Sequence, residues 1–128
     1  MVFGTFDNLH PGHLDFFRQA AQLGKLFVVI ARDTNVQKIK KRPPSENEKA
    51  RLIKVALQKK VFRATLGSSN NFFATIEKNQ PDIIALGFDQ KTFTIETLKQ
   101  ELKKISLTPQ IIRLKPHKPE KFKSSLLR

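Results

Sequence analysis

The sequence predicts an α/β fold: one doubly wound domain with a five-stranded parallel sheet and helices on both faces. Three observations predict it. Strand-like and helix-like segments alternate along the chain. Leu26 to Ala31 (LFVVIA) is apolar throughout, as in a strand buried on both faces. And a short apolar strand runs straight into Gly4-Thr5-Phe6-Asp7-Asn8-Leu9-His10-Pro11-Gly12-His13, a glycine-bearing turn that opens a helix.

Met1 to Phe6 is the first strand, short for its place. Gly12 to Leu23 is a helix with Leu14, Phe17 and Ala21 on one face, stopped by Gly24. Leu26 to Ala31 is the second strand. Arg32 to Arg42 is a basic stretch ending in Lys38-Ile39-Lys40-Lys41-Arg42, and Pro43-Pro44 interrupts the chain after it. Ser45-Glu46-Asn47-Glu48 has the form of a capping box for a helix running to about Lys59. Val61 to Leu66 is the third strand, and Asn71 to Asn79 a short helix with Phe72, Phe73 and Ile76 inward. Asp82 to Leu86 is the fourth strand, ended by Gly87. Thr94 caps a helix to Ile105 with Ile95, Leu98, Leu102 and Ile105 in one stripe. Gln110 to Leu114 is the fifth strand.

At 128 residues the chain fits a single domain, 1–128, and 39% hydrophobic content suffices for one core. No apolar run reaches the length of a membrane span, and no signal-peptide pattern opens the chain. The absence of Cys excludes disulfides and thiolate metal sites and fits a cytoplasmic protein. A net charge of +13 calls for polyanionic partners: nucleotides, phosphorylated metabolites or nucleic acid. The eleven Phe, with no Tyr or Trp, fall mostly at core-like positions, which argues against a stacking platform for nucleic acid.

The glycine-bearing junction carries the chemistry. The first turn of a helix offers unpaired N–H groups and a partial positive charge, so anions settle there. Pro11 suits that first turn, Gly12 lets backbone approach a ligand, and His10 and His13 add donors that can follow charge on a phosphoryl group. Two other readings of the same residues stand beside this one: a metal pair with Asp7 as third ligand, and two surface histidines.

The stretch resembles the GTFDxxHxGH signature of the cytidylyltransferase-like nucleotidyltransferases, matching at Gly4, Thr5, Phe6, Asp7, His10, Gly12 and His13. The resemblance implies a Rossmann-like domain with strand order 3-2-1-4-5, and these seven residues as nucleotide-binding, His10 and His13 being catalytic. Pro81 to Gln90 (PDIIALGFDQ) resembles a segment of archaeal-type FAD synthases and adds Gly87, Asp89 and Gln90 to the nucleotide site. The pattern of Arg32 to Arg51 resembles the same group and glycerol-3-phosphate cytidylyltransferases. It implies Lys38, Lys41 and Arg51 as acceptor-binding, with Lys41 also catalytic. The C-terminal segment, 114–128, contains Phe122-Lys123-Ser124-Ser125-Leu126-Leu127-Arg128, similar to the family's second phosphate-binding signature, so Ser124, Ser125 and Arg128 join the nucleotide site.

The implied reaction is nucleotidyl transfer from an NTP to a phosphate-bearing acceptor with release of pyrophosphate. ATP and FMN are the favoured pair, with Mg²⁺ accompanying the NTP and a homodimer as the family's assembly. A cytidylyltransferase acting on glycerol 3-phosphate is the second reading. A catalytically inactive, basic nucleotide- or RNA-binding module is the third.

Overall fold

The computed structural model of the chain describes residues 1–88, 90 and 94–116. Their elements, in order, are β1 Val2–Gly4, α1 Pro11–Ala21, β2 Leu26–Ile30, α2 Asp33–Lys40, α3 Glu48–Ala56, β3 Val61–Leu66, α4 Phe73–Asn79, β4 Ile83–Leu86, α5 Ile95–Lys104 and β5 Gln110–Arg113. The alternation read from the sequence is there, with one helix added.

All strand pairs are parallel. β1 pairs with β2 (Val2 opposite Val28, Gly4 opposite Ile30), β2 with β3, and β4 with β5. The strands thus form two ladders, β3-β2-β1 and β4-β5, rather than one continuous five-stranded sheet. The ladders meet where β4 lies against β1. There the Ala85 N–H donates to the Met1 carbonyl at 3.0 Å, and the Met1 amine donates to the Ile83 carbonyl at 2.8 Å. With only three residues in β1, few rungs are available on its β4 side.

Two cores sit on opposite faces, sorted by the period of two along each strand. Val2, Val28, Ile30 and Ala85 pack with Phe17 of α1 and Val55 of α3. Phe3, Val29, Ile84 and Leu86 pack with Ile76 of α4 and with Leu98 and Leu102 of α5. Both faces of β2 are therefore covered, which is why Leu26 to Ile30 is apolar throughout.

Two local features depart from the sequence pattern. The basic stretch, which the pattern leaves without an element, contains a helix: Asp33–Lys40 forms α2, closed by Lys41 in the left-handed region at φ 64°. Asp33 in its first turn and Lys38 and Lys40 in its last complement the helix dipole. Val36 is its one buried residue, so no apolar stripe announced it. The next helix is capped by Asn47, not Ser45, and ends at Ala56. Asn47 accepts from the Ala50 N–H at 2.8 Å, while the N–H groups of Ser45 and Glu46 are taken by Asp7.

Candidate active site

The turn after β1 is tight and strained. Phe6 and Asn8 both take φ 53°, a left-handed conformation that costs roughly 1–2 kcal/mol per non-glycine residue. Burial holds Phe6 there. Its ring lies against Phe17 (centroids 5.0 Å apart) and meets the edge of His13 at 5.5 Å. It also folds back over Gly4, where a Cβ would stand 2.7 Å from the ring. Gly4 and Phe6 thus shape the turn from within the core.

His10 is the N-cap of α1. Its Nδ1 accepts from the Gly12 N–H at 3.1 Å, and Nδ1 of His13 accepts from the His10 N–H at 3.3 Å. The two histidines form a reciprocal cap, their rings stacked with centroids 3.8 Å apart. Gly12 makes room for this, because a Cβ there would lie 2.9 Å from Cε1 of His10. Two accepting Nδ1 atoms fix the tautomers. In each neutral ring the proton sits on Nε2, which is left as a donor pointing away from the backbone. Burial pushes the His13 pKa down to about 4, helped by the charges of His10 and Lys40 and opposed by Asp7. His13 is therefore neutral at pH 7.

Around this pair the chain is stapled. Asp7 accepts from the Ser45 N–H at 2.7 Å and the Glu46 N–H at 2.9 Å. Desolvation works to raise its pKa, but these two bonds and the charges of Arg51 and Lys40 outweigh it and leave the pKa below the ordinary value. Glu46 returns the contact, accepting from the Asn8 N–H at 2.9 Å and pairing with Lys54. Arg51 is fully buried. It donates to the carbonyls of Thr5 (2.8 Å), Ala31 (2.9 Å) and Glu46 (3.0 Å) and to the Asp33 carboxylate (2.6 Å). Asp33 and Glu48, first residues of α2 and α3, exchange caps: each carboxylate accepts from the other's N–H, at 2.9 and 3.2 Å. Arg32 braces this exchange through Glu48 and the Gly67 carbonyl.

The expected site residues divide accordingly. His10, Gly12 and His13 converge at the start of α1. Asp7 and Arg51 are close by, but their polar atoms are engaged by the protein. Arg51 ties the ends of β1 and β2 to the loop before α3 and is not available to an acceptor, because a buried guanidinium needs these partners itself. Gly87 and Gln90 stand at the end of β4, across the seam. The Gln90 amide is bonded to backbone, its Nε2 donating to the Phe3 carbonyl at 3.0 Å and its Oε1 accepting from the Gly87 N–H at 2.7 Å. Asp89, Ser124, Ser125 and Arg128 lie outside the described residues.

Lys38 and Lys41 are exposed on and just after α2, as is Lys40. Lys40 is the residue sequence reasoning passed over, and its charge acts on both His13 and Asp7. Its signal is helical spacing: it follows buried Val36 by one turn, whereas Lys38 is on the opposite side of α2. The signal reads only once that stretch is known to be a helix.

Among the described residues, no group of three or more His, Asp or Glu is placed to hold a metal ion, and no helix is long and apolar enough to cross a membrane. A cavity of about 500 Å³ opens between Met1, Leu26, Phe62 and Ile83. It lies at the amino ends of the strands, whereas ligands of parallel sheets bind at the carboxyl ends.

Comparison with known proteins agrees with this geometry. The chain is 43% identical over 129 residues to the FAD synthase of Methanothermus fervidus, covering 98% of this chain and 88% of that protein. It is 47% identical over 112 residues to the FAD synthase of Methanosarcina mazei, covering 87% and 72%. A solved structure of a lipopolysaccharide core biosynthesis protein from Thermoplasma volcanium superposes with a TM-score of 0.88 at 34% identity, over 92% of this chain and 96% of that one. The match to the cytidylyltransferase-like family runs over residues 1–128. With the capped histidine pair at the start of α1 and these relatives along its length, the chain belongs to the cytidylyltransferase-like family.

Proposed function

We propose that the chain is an FMN adenylyltransferase, converting ATP and FMN to FAD and pyrophosphate. The observation that carries the reading is the pair of Nε2–H donors at the head of α1, in a chain whose relatives include FAD synthases. A phosphate oxygen of FMN attacks the α-phosphorus of ATP. A P–O bond forms there as the bond to the α,β-bridging oxygen breaks, and the electron pair leaves with pyrophosphate. The attacking oxygen is already ionised, so no protein nucleophile is needed. Catalysis is positioning and charge stabilisation.

His10 and His13 donate to the α- and β-phosphate oxygens as negative charge grows on the leaving group. Each turns Nε2 to the phosphates as its donor, because its Nδ1 is held by a backbone N–H group. Lys40 and Lys41 lead the acceptor phosphate towards the histidines. Ser124, Ser125 and Arg128 take the β,γ-phosphates, on the strength of the second signature alone. Mg²⁺ enters with the triphosphate as part of the substrate and neutralises charge on its oxygens. Asp7, the carboxylate whose charge acts on His13, is held by the N–H groups of Ser45 and Glu46.

Thermal shift tests the substrate pair. A ligand that binds only the folded state stabilises by RT ln(1 + [L]/Kd), about 2.7 kcal/mol at a hundredfold excess over Kd. With Mg²⁺, ATP is expected to raise Tm more than CTP at equal concentration, and FMN to add to it. A larger shift with CTP would transfer the assignment to a cytidylyltransferase acting on a phosphate such as glycerol 3-phosphate. Equal small shifts with ATP, CTP, pyrophosphate and RNA would favour a basic binding module without catalysis.

A further inference from the structure

Arg113, at the end of β5, directs one nitrogen at two carbonyls. Its Nη1 donates to Gly87 at 2.9 Å and to Gln90 at 2.6 Å. Gln90 passes the connection on, through Oε1 to the Gly87 N–H and through Nε2 to the Phe3 carbonyl. A continuous run of hydrogen bonds therefore crosses the carboxyl ends of β5, β4 and β1. It stands where backbone pairing has given out, since the Ala85–Met1 bond and the Met1 amine join β1 to β4 nearer their amino ends. A parallel sheet takes its ligand in the crevice beyond the carboxyl ends, at the point where the strand order reverses. Here that point lies between β1 and β4, with α1 and α3 on one face and α4 and α5 on the other.

We propose that Arg113 and Gln90 are positioning residues that set the spacing of β4 from β1 and so the fit of the nucleoside half of the triphosphate. The inference rests on the nucleotidyl-transfer reading. Arg113 acts through Gly87 and Gln90, with both N–H groups of Nη1 engaged by their carbonyls. The phosphate half is set separately, by the histidine cap and by Arg51, whose partners include neither Gly87 nor Gln90. Loosening the bridge should disturb the nucleoside fit and leave the phosphate fit alone.

The test is calorimetric binding of ATP, CTP and inorganic pyrophosphate, each with Mg²⁺, to the full chain and to three variants. Arg113→Met removes both donors, and Arg113→Lys restores a cation able to donate twice. Gln90→Glu keeps the acceptor for Gly87 but sets an oxygen against the Phe3 carbonyl. Arg113→Met and Gln90→Glu are expected to weaken the preferred triphosphate by about tenfold, as for a lost hydrogen-bond network, with pyrophosphate within about twofold. Arg113→Lys should recover most of that loss. Equal weakening of triphosphate and pyrophosphate would overturn the proposal, as would an unchanged triphosphate affinity. Should Arg113→Met fail to fold, Gln90→Glu decides; failure of both would assign the bridge to holding up the sheet and overturn the proposal. An unsubstituted chain preferring CTP would refute the ATP assignment alone, and the bridge is then judged by the CTP-to-pyrophosphate ratio. An unsubstituted chain that binds no triphosphate overturns both.

Discussion

Arg51 and Arg113 stand on opposite sides of β1, and they fasten it differently. On the β2 side a ladder is already present, and Arg51 adds donors to Thr5, Ala31, Glu46 and Asp33 from a fully buried position. On the β4 side pairing is sparse, and half-buried Arg113 reaches β1 through the Gln90 side chain. The side carrying the histidines is the one with redundant fastening. Reacting atoms need a fixed geometry, and misplacement by an ångström is costly in rate. A nucleoside must enter and leave, which a side held by a few side-chain bonds permits. The comparison also corrects a habit of reading basic residues as ligand contacts, because both arginines are committed to the protein's own carbonyls.

The largest effect is expected at the histidines. His10→Ala and His13→Ala should each slow turnover by roughly 10²–10⁴-fold, as for lost transition-state donors. The cap geometry sharpens this. His10→Ala also removes an N-cap, worth about 0.5–2 kcal/mol, whereas His10→Asn supplies a good cap without the Nε2 donor. His10→Asn is therefore expected to keep most of the stability and still lose the rate. Steady-state pyrophosphate release and chemical denaturation on the same preparations separate the two. Asn restoring the rate would mean that His10 serves only as a cap.

Arg51→Met should be the most damaging change to stability, about 3–5 kcal/mol, because it leaves Asp33 and three carbonyls without their donor. Arg113→Met should cost clearly less. Urea midpoints measure both, and similar losses would break the contrast between the two sides of β1.

Much of this frame was legible in the sequence, and the exceptions have physical causes. The apolar run at Leu26 to Ile30 announced a strand covered on both faces, and the glycines around His10 announced the histidine turn. Gly12 is there because the His10 ring needs its space. α2 stayed hidden because one buried residue, Val36, makes no stripe. Ser45 was preferred to Asn47 as a cap because sequence spacing does not show that Asp7, far upstream, takes the Ser45 N–H. The same blindness made Arg51 look like an acceptor ligand. Long-range partners decide such residues, and a local pattern carries no trace of them.

A smaller effect concerns acid. His13 has its pKa lowered from 6.5 to about 4 by burial first, then by the charges of His10 and Lys40. Between those values the unfolded chain takes up a proton that the folded chain refuses. The His13 contribution is thus full above pH 6.5 and is lost as pH falls to about 4. On a half-buried ring it should amount to something on the order of 1 kcal/mol. Asp7 and Glu46 are lowered from 3.8 and 4.5, so their contributions are lost at lower pH, below those values. Urea midpoints at pH 7, 5.5 and 4.5 should fall in sequence, and His13→Asn should flatten that fall. An unchanged slope in the variant would take the window away from His13.

The smallest effects are expected at the C-terminal end of α2, where the cations are exposed. Lys38, Lys40 and Lys41 are nearly adjacent in sequence, yet they should differ. Lys40 follows Val36 by one turn, and its charge acts on His13 and Asp7, while Lys38 is on the far side of the helix. Lys40→Ala is expected to raise the acceptor KM by roughly three- to tenfold with a smaller effect on the ATP KM, within the range of a single exposed charge contact that closes on a phosphate. Lys41→Ala should do less, and Lys38→Ala almost nothing. A second measurement does not depend on the reaction. Because the Lys40 charge helps to lower the His13 pKa, removing it should raise that pKa in an NMR titration of the ring, and removing the Lys38 charge should not. Equal KM effects from Lys38 and Lys40, or a His13 titration indifferent to both, would show that α2 attracts its ligand by net charge alone. In that case the contrast between a built site at α1 and a directed cation on α2 would reduce to a built site beside a general positive field.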